Sequence, residues 1–218
     1  MATVSRLLGR PFTVASIALV AGVTVGVVAF ADGDDEGVAG AGTAPSAVAV
    51  AATSSYQFDS LLDMAATSDA VVRATVVATE RGRVVGDPDA GGIVSRIVTL
   101  DVSEVFTSSV PGLTAGATLL IEEEGWLPSG EVLIVDDLQP STVDDTGVWF
   151  LDAIGDTDSP TFLVINSQGR FLDLDGQIVG GRIDDPLVDA VEAVDYPELI
   201  DTLRRLTEQR PDSPEPAP

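Results

Sequence analysis

The sequence predicts a mainly β domain of the α+β class, a small barrel or sandwich framed by a short helix before the strands and two helices after them. Short segments of alternating or continuous apolar residues recur between residues 56 and 210, separated by turns rich in Gly, Pro and Asp. Apolar residues at helical spacing occur at the two ends of this region. An uncharged apolar run lies well before it and predicts a separate N-terminal hydrophobic helix.

The N-terminal part of the chain has the pattern of an export segment. Residues 1–10 carry Arg6 and Arg10 and no acid, and residues 11–31 carry no charge. A bilayer-spanning helix needs about 20 apolar residues. An acidic cluster follows the run, so the positive-inside rule puts the basic n-region in the cytoplasm and the rest of the chain outside it.

Two interpretations of residues 11–31 stay open. The run ends in Ala29-Phe30-Ala31, a small-x-small pattern that fits cleavage of a signal peptide after Ala31. Its length exceeds the about 7–15 residues of a signal-peptide core and favours a retained transmembrane helix. In both cases the sequence predicts an extracytoplasmic protein, secreted or anchored to the bacterial cell membrane.

Composition predicts disordered segments on both sides of the domain. Residues 32–55 are mostly Ala, Gly, Asp, Ser and Thr, and such a segment buries too little apolar area to offset its ordering entropy. Residues 211–218 form a Pro-rich tail. The ordered β-rich domain is therefore expected at 56–210.

The order of elements follows from the apolar spacing. A short helix is expected first, since one apolar face is formed by Phe58, Leu61, Leu62 and Ala65. Strands are expected at 70–80, 93–106, 118–122, 132–135, 147–151, 161–165, 170–174 and 177–179. The core-facing side chains of the long second strand are expected to be Val98, Leu100, Val102, Glu104 and Phe106.

Two pairings and two helices complete the expected domain. Strand 161–165 is expected to form a hairpin with 170–174, and Asp175-Gly176 suits the next tight turn. Helices are expected at 186–194 and 197–209. The first of these has Asp184 or Asp185 as its N-cap and Pro186 at its first position.

The absence of three residue types excludes much chemistry. The chain has no His and no Cys, and all eleven of its basic residues are Arg. A Ser-His-Asp triad, a thiol nucleophile and a lysine Schiff base are therefore excluded, and so is a lipoprotein anchor. Zinc favours His and Cys ligands, and no glycine-rich phosphate loop is present. No catalytic residue is assigned, and the sequence favours a protein that is not an enzyme.

Net charge limits the partners. The chain has 35 acidic residues against 11 basic ones and a formal net charge of −24. Such a surface repels nucleic acid and is suited to cations, basic peptides or neutral surfaces.

Four residues are candidate binding residues. Asn166-Ser167-Gln168-Gly169-Arg170-Phe171 is the most distinctive polar stretch, and its Asn166, Gln168 and Arg170 suit a recognition loop. The alternative is a β-turn whose Arg pairs with a nearby acid. Trp126 follows Gly125 beside an acidic run and is a candidate anchor for a partner or a sugar ring. Its alternative role is to cap the barrel.

Calcium is the one cofactor that the sequence suggests. Asp173 and Asp175 belong to an Asp-x-Asp-Gly stretch, the core of some calcium loops. The stretch lacks an acid two residues earlier, where Phe171 stands, and a tight hairpin turn explains it equally well.

The pattern of motifs resembles a group of uncharacterised exported bacterial proteins. The resemblance is carried by 68–77, 102–106, 149–151 and, most distinctively, Ile165-Asn166-Ser167-Gln168-Gly169-Arg170-Phe171. The layout is also similar to OB-like barrels of the netrin and metalloprotease-inhibitor type. Those barrels depend on disulfides, which this chain cannot form. The resemblance thus implies export and an OB-like β-barrel, and it implies no activity.

Three functions remain open. The first is an exported or membrane-anchored binding module with an unknown envelope or extracellular partner. The second is a carboxylate-dependent glycan hydrolase that uses the acids at 122–124 with Asp136 or Asp137. The third is a structural envelope protein without a small ligand.

Overall fold

The computed structural model describes residues 47–50, 56–86, 92–155 and 161–208. The n-region, the hydrophobic segment 11–31, the cleavage position after Ala31 and the tail 211–218 lie outside these residues. Within the described ranges, no helix is long and apolar enough to cross a membrane.

The described chain is mainly β with a few short helices. The helices are α1 (Leu61–Thr67), α2 (Pro186–Glu192) and α3 (Tyr196–Glu208). The strands are β1 (Ala47–Val50), β2 (Ala70–Val85), β3 (Ile93–Ser108), β4 (Thr118–Trp126), β5 (Val132–Val135), β6 (Thr146–Ile154), β7 (Thr161–Val164), β8 (Arg170–Leu174) and β9 (Gln177–Val179).

The strands form one sheet that closes on itself. Along the sheet the order is β1-β5-β4-β3-β2-β6-β8-β9, and β7 pairs with both β4 and β6. Strands β2, β3, β4, β7 and β6 therefore make a ring. The ring is uneven, because the described pairing of β4 with β7 consists of Ile121 opposite Phe162, whereas β2 and β3 pair along almost their whole length.

The inside of the ring is apolar. On β3, Val98, Leu100 and Val102 are fully buried, and the residues between them point outward. This confirms the predicted core face for these three side chains. They pack with residues from the facing strands, namely Val76, Ile121, Trp149, Leu151 and Phe162.

A second apolar cluster lies on the other side of β2, β6 and β8. Here α1, α2 and α3 cover strand residues such as Val71, Phe150 and Phe171. Strand β6 is therefore buried on both faces, with Trp149 inside the ring and Phe150 under the helices. This two-sided burial explains why its sequence is continuously apolar instead of alternating.

Side chains cap the first turns of α1 and α2, and the cap and first residue of α2 are among those that the sequence predicted. The Ser60 side chain accepts a hydrogen bond from the Asp63 N–H at the start of α1. Asp185 caps α2, where it accepts from the Leu187 and Val188 N–H groups, and Pro186 is the first helical residue.

The strand pairing differs from the sequence prediction at two places. Residues 161–164 and 170–174 do not pair with each other, because β7 pairs with Leu151–Ile154 of β6 and β8 pairs with its 147–149 part. The two strands of the predicted hairpin thus lie one after the other along the same edge of β6, and the loop 165–169 separates them. In addition, Ala47–Val50, which fall in the predicted linker, form β1 and pair in parallel with β5.

Candidate functional site

An open groove lies on the outside of the ring among the described residues. Its volume is about 380 Å³. It lies where the outer faces of β3 and β4 meet the end of β2, the end of β6 and the start of β7. Its lining residues are Gly82, Arg83, Ile97, Glu122, Ile154, Gly155 and Thr161.

Strand register brings the lining residues together. Ile97 lies directly opposite Glu122 in the β3–β4 pairing. Both point away from the ring interior, since their neighbours Val98 and Ile121 are buried in it. The long β2 carries Arg83 to the same surface, where Ile154 at the end of β6 forms the opposite wall.

An ion pair forms the polar part of the groove. Arg83 Nε lies 2.9 Å from Glu122 Oε1, and its Nη2 lies 2.9 Å from Oε2, so the contact is bidentate. The Glu122 side chain is 9% exposed and that of Arg83 is 70% exposed. Hydrogen bonding by Arg83 lowers the pKa of Glu122, against the opposing effect of burial. The carboxylate therefore stays charged and orients a guanidinium whose outer edge faces solvent.

Trp126 lies away from the groove because of a β-bulge. The β3–β4 register shifts between Val94 and Ser95, so that Gly125 is the extra residue and Trp126 lies opposite Val94. The shift turns the indole toward Arg81 and Arg96, whose guanidinium carbons are 4.8 Å and 4.5 Å from the ring centroid. Trp126 thus interacts with these two Arg side chains at one end of the ring.

A buried polar cluster lies at the end of the ring next to Trp126. Glu123 accepts hydrogen bonds from the N–H and the hydroxyl of Ser141, each at 2.9 Å. Arg170 Nη1 is 3.6 Å from Glu123 Oε2 and donates to the Ser141 hydroxyl at 2.7 Å. Arg96 Nη1 donates to the Ser141 carbonyl at 2.9 Å. These contacts tie the loop before β6 to the strands and close this end of the ring.

Burial dominates the titration of this cluster. Desolvation raises the pKa of Glu123, and the nearby Arg170 opposes the effect. Desolvation likewise lowers the pKa of Arg170, and Glu123 opposes that change. Removing one partner of such a buried ion pair is strongly destabilising, although the intact pair adds little net stability. We therefore assign the pair a structural role.

Two of the predicted binding residues fasten loops to the body of the domain. Gln168 is fully buried, and its side chain accepts from the Phe58 N–H at 2.9 Å and donates to the Phe58 carbonyl at 3.0 Å. The same amide donates to the Asp185 carboxylate at 2.9 Å. Asn166 donates to the Tyr56 carbonyl at 3.0 Å and accepts from the Gln168 N–H at 2.9 Å. The loop therefore holds the segment before α1 and the cap of α2.

The predicted binding residues do not converge on one surface. Gln168 and Arg170 are buried with internal partners, Asn166 is half-buried, and Trp126 lies with Arg81 and Arg96. None of these side chains lines the groove. A recognition role for them stays a prediction, and the contacts described above are those of structural residues.

The residues of the calcium hypothesis lie in a tight hairpin turn. Asp175 and Gly176, between β8 and β9, have φ values of 55° and 88°, as a type I′ turn requires. Asp173 Oδ1 accepts a hydrogen bond from the Gly176 N–H at 2.7 Å. Within the described ranges no group of three or more His, Cys, Asp or Glu side chains is arranged to hold a metal ion.

The acidic run of the hydrolase hypothesis is divided between two faces of β4. Glu122 points outward to Arg83, whereas Glu123 points inward to Ser141. Glu124 is exposed on the outer face. Alternation along the strand therefore separates Glu123 from the other two carboxylates, and both oxygens of Glu122 are engaged by Arg83.

Comparison with known proteins gives no family. No protein-family model matches the chain, and no curated protein matches it significantly.

Apart from Glu122, which belongs to the acidic run of the hydrolase hypothesis, the sequence did not single out the groove residues. Arg83 falls beyond the predicted end of its strand, and Ile97 belongs to the face opposite the predicted core. Arg83 could have drawn attention because basic residues are rare in the chain. Its pairing with Glu122 could not be inferred from the sequence, because Arg83 is on β2, Glu122 is on β4, and the register of β2, β3 and β4 has to be known.

Proposed function

We propose that this chain is an extracytoplasmic binding module, exported or anchored through residues 11–31, and that its ligand binds in the groove. The domain is an OB-like barrel in this proposal. The ring order β2-β3-β4-β7-β6, with β4 parallel to β7, supports it.

The position of the groove supports the same proposal. In OB-folds the face of the second and third strands, together with the loops after the first and fourth strands, is the usual ligand-binding surface. The corresponding strands here are β3 and β4, which supply Ile97 and Glu122. The borders are formed by Arg83 of β2 and by Ile154 and Gly155 at the end of β6.

The observation that carries the proposal is the oriented ion pair between aliphatic walls. A nearly buried carboxylate holds an exposed guanidinium in a fixed plane, so a ligand does not have to order it on binding. Ile97 and Ile154 beside it provide apolar area. A few fixed polar groups in an apolar concave surface are the usual features of a ligand site.

The alternative hydrolase has less support. Glu122 has both oxygens engaged by Arg83, and Glu123 is directed into the interior. Neither carboxylate is placed to donate a proton to a substrate in the groove.

Thermal unfolding of the full-length chain in detergent micelles tests the proposal. The ligands are cell-wall sugars, calcium, magnesium and short peptides at fixed ionic strength. A ligand at 100 times its Kd adds about 2.7 kcal/mol, which corresponds to several degrees in Tm. Thr161→Trp fills the groove and is expected to abolish the shift, whereas Ile183→Trp, at an exposed aliphatic position, retains it.

Two results contradict the proposal. A shift that persists in Thr161→Trp places the ligand outside the groove. The absence of a shift with every ligand in the panel argues against a binding module for this class of compounds.

A further inference from the structure

The rim of the groove is negatively charged. Glu80 lies directly opposite Ile97 in the β2–β3 pairing, and Glu124 follows Glu122 on the same outward face of β4. Both carboxylates are exposed. Because Arg83 is paired with Glu122 and the guanidinium of Arg81 lies over Trp126, these two carboxylates make the border of the groove negative within a chain that is strongly acidic as a whole.

The described residues that line the groove include no aromatic side chain. Proteins bind bases, and commonly sugar rings, by stacking them on aromatic side chains. Its walls are the aliphatic side chains Ile97 and Ile154, which suit a branched or linear apolar side chain better than a planar ring.

The outer face of β4 continues this pattern beyond the groove. Leu120 is 44% exposed and lies opposite Thr99 of β3. It is followed at alternate positions by Glu122 and Glu124. Outward residues two apart on a strand are about 6.6 Å from each other, which is also the spacing of alternate side chains in an extended peptide. The outer face of β4 thus carries three positions in one row: the apolar Leu120, Glu122 with its hydrogen-bonded Arg83, and the acidic Glu124.

We infer that the groove binds an extended polypeptide segment that combines aliphatic and basic side chains, an inference that rests on the proposed function. An aliphatic side chain of the segment packs between Ile97 and Ile154. The guanidinium of Arg83, held by Glu122, donates to a main-chain carbonyl of the segment. Lys or Arg side chains on either side of the aliphatic residue pair with Glu80 and Glu124.

Binding of designed decapeptides by the full-length chain in micelles tests the inference. Three probes alternate Leu with Arg, Leu with Ser or Leu with Glu, and a fourth is a chitin-type oligosaccharide. We expect the Leu/Arg peptide to bind about tenfold more tightly than the Leu/Glu peptide near 0.15 M salt, by fluorescence anisotropy.

Charge reversal at the rim separates this site from general attraction to an acidic protein. The double variant Glu80→Arg, Glu124→Arg is expected to invert the order of the Leu/Arg and Leu/Glu peptides. The matched variant Glu198→Arg, Glu208→Arg changes net charge equally at exposed positions on α3 and is expected to keep the original order.

The remaining outcomes overturn the inference. A Leu/Arg preference that survives rim reversal shows that the peptide is held by net charge elsewhere. Another outcome is that the oligosaccharide binds, that Thr161→Trp abolishes this binding, and that no peptide binds. It would reject a polypeptide as the ligand and leave the proposed function standing. No binding by any probe would count against both.

Discussion

A single buried amide joins three parts of the domain that are far apart in sequence. Gln168 contacts both main-chain groups of Phe58 and the carboxylate of Asp185. A carboxamide suits this position because it donates and accepts at once, as the N–H and C=O of one residue require. The sequence singled out Gln168, but the polar composition of its loop predicted an exposed side chain. Its burial depends on residues 56–60 and 185, which contact the loop only in the folded domain.

Removing this amide is expected to destabilise the domain. Gln168→Met keeps the volume but leaves the Phe58 main chain without its buried partner and removes one of the donors to the buried Asp185 carboxylate. We expect the free energy of unfolding to fall by about 3 kcal/mol in urea titrations. Gln177→Met, at an exposed position on β9, is the control and is expected to change it by less than about 0.5 kcal/mol. A similar effect of the two substitutions would reject the role of Gln168.

Asp152 on β6 gives the stability a dependence on pH. Burial, with a smaller contribution from the neighbouring Asp69, raises the pKa of Asp152 from 3.8 to about 6. Between these two values the folded state binds the proton and the unfolded state does not. This carboxyl therefore destabilises the fold at neutral pH, and that penalty disappears as the pH falls from about 6 to below 3.8.

Asp152→Asn is accordingly expected to be more stable than the natural protein at pH 7.5. Because Asp152 is only half-buried, solvent screening reduces the gain to about 1 kcal/mol. The difference between the two proteins should shrink as the pH falls below 6, and Glu208→Gln at the exposed end of α3 should show no such trend. Urea titrations at several pH values measure both, and a constant difference would contradict the assignment.

At the scale of elements, strands with a strong local pattern were predictable and those that depend on partners were not. The continuous apolar run of β6 and the alternating pattern of β3 reflect which faces of each strand are buried. This burial does not depend on which partner residues lie opposite them. By contrast, β1 contains only Ala and Val within a segment of small residues, and its strand conformation comes from pairing with β5. The loop between β7 and β8 was mistaken for a hairpin turn because turn residues mark a break without specifying what the flanking strands pair with.

The bulge at Gly125 is the element-scale feature that decides where Trp126 lies. A Cβ at Gly125 would come within 2.6 Å of the Val94 carbonyl oxygen and 3.0 Å of the Arg96 nitrogen. These are main-chain atoms of a paired strand and cannot move aside cheaply.

Gly125→Ala is therefore expected to cost about 2–4 kcal/mol and to alter the near-ultraviolet circular dichroism of Trp126. Gly112→Ala is the comparison, because its Cβ meets no atom within 4 Å although its φ is +77°. That substitution should cost about 1 kcal/mol from backbone strain alone. Equal costs, or an unchanged Trp spectrum in Gly125→Ala, would show that the bulge does not set the indole position.

At the scale of the whole molecule, two apolar clusters share the strands β2 and β6. One fills the ring and the other lies under the helices, so burial on both faces of these strands takes the place of disulfides in a chain without Cys. The charged cluster around Glu123 closes the ring instead of filling it. Such a domain holds together by apolar packing while its surface carries the excess of acid.

That excess predicts how salt affects stability. With a net charge of −24, repulsion between surface carboxylates opposes the compact state. The Debye length falls from about 20 Å near 0.02 M salt to about 4 Å near 0.5 M, so added NaCl screens repulsion over the whole surface. It also weakens exposed ion pairs such as Arg204–Glu104, but these contribute little each. We therefore expect Tm to rise by several degrees across this range at pH 7.5, equally in NaCl and KCl. A fall in Tm would mean that the ion pairs outweigh the repulsion, and a rise with one salt alone would indicate specific cation binding.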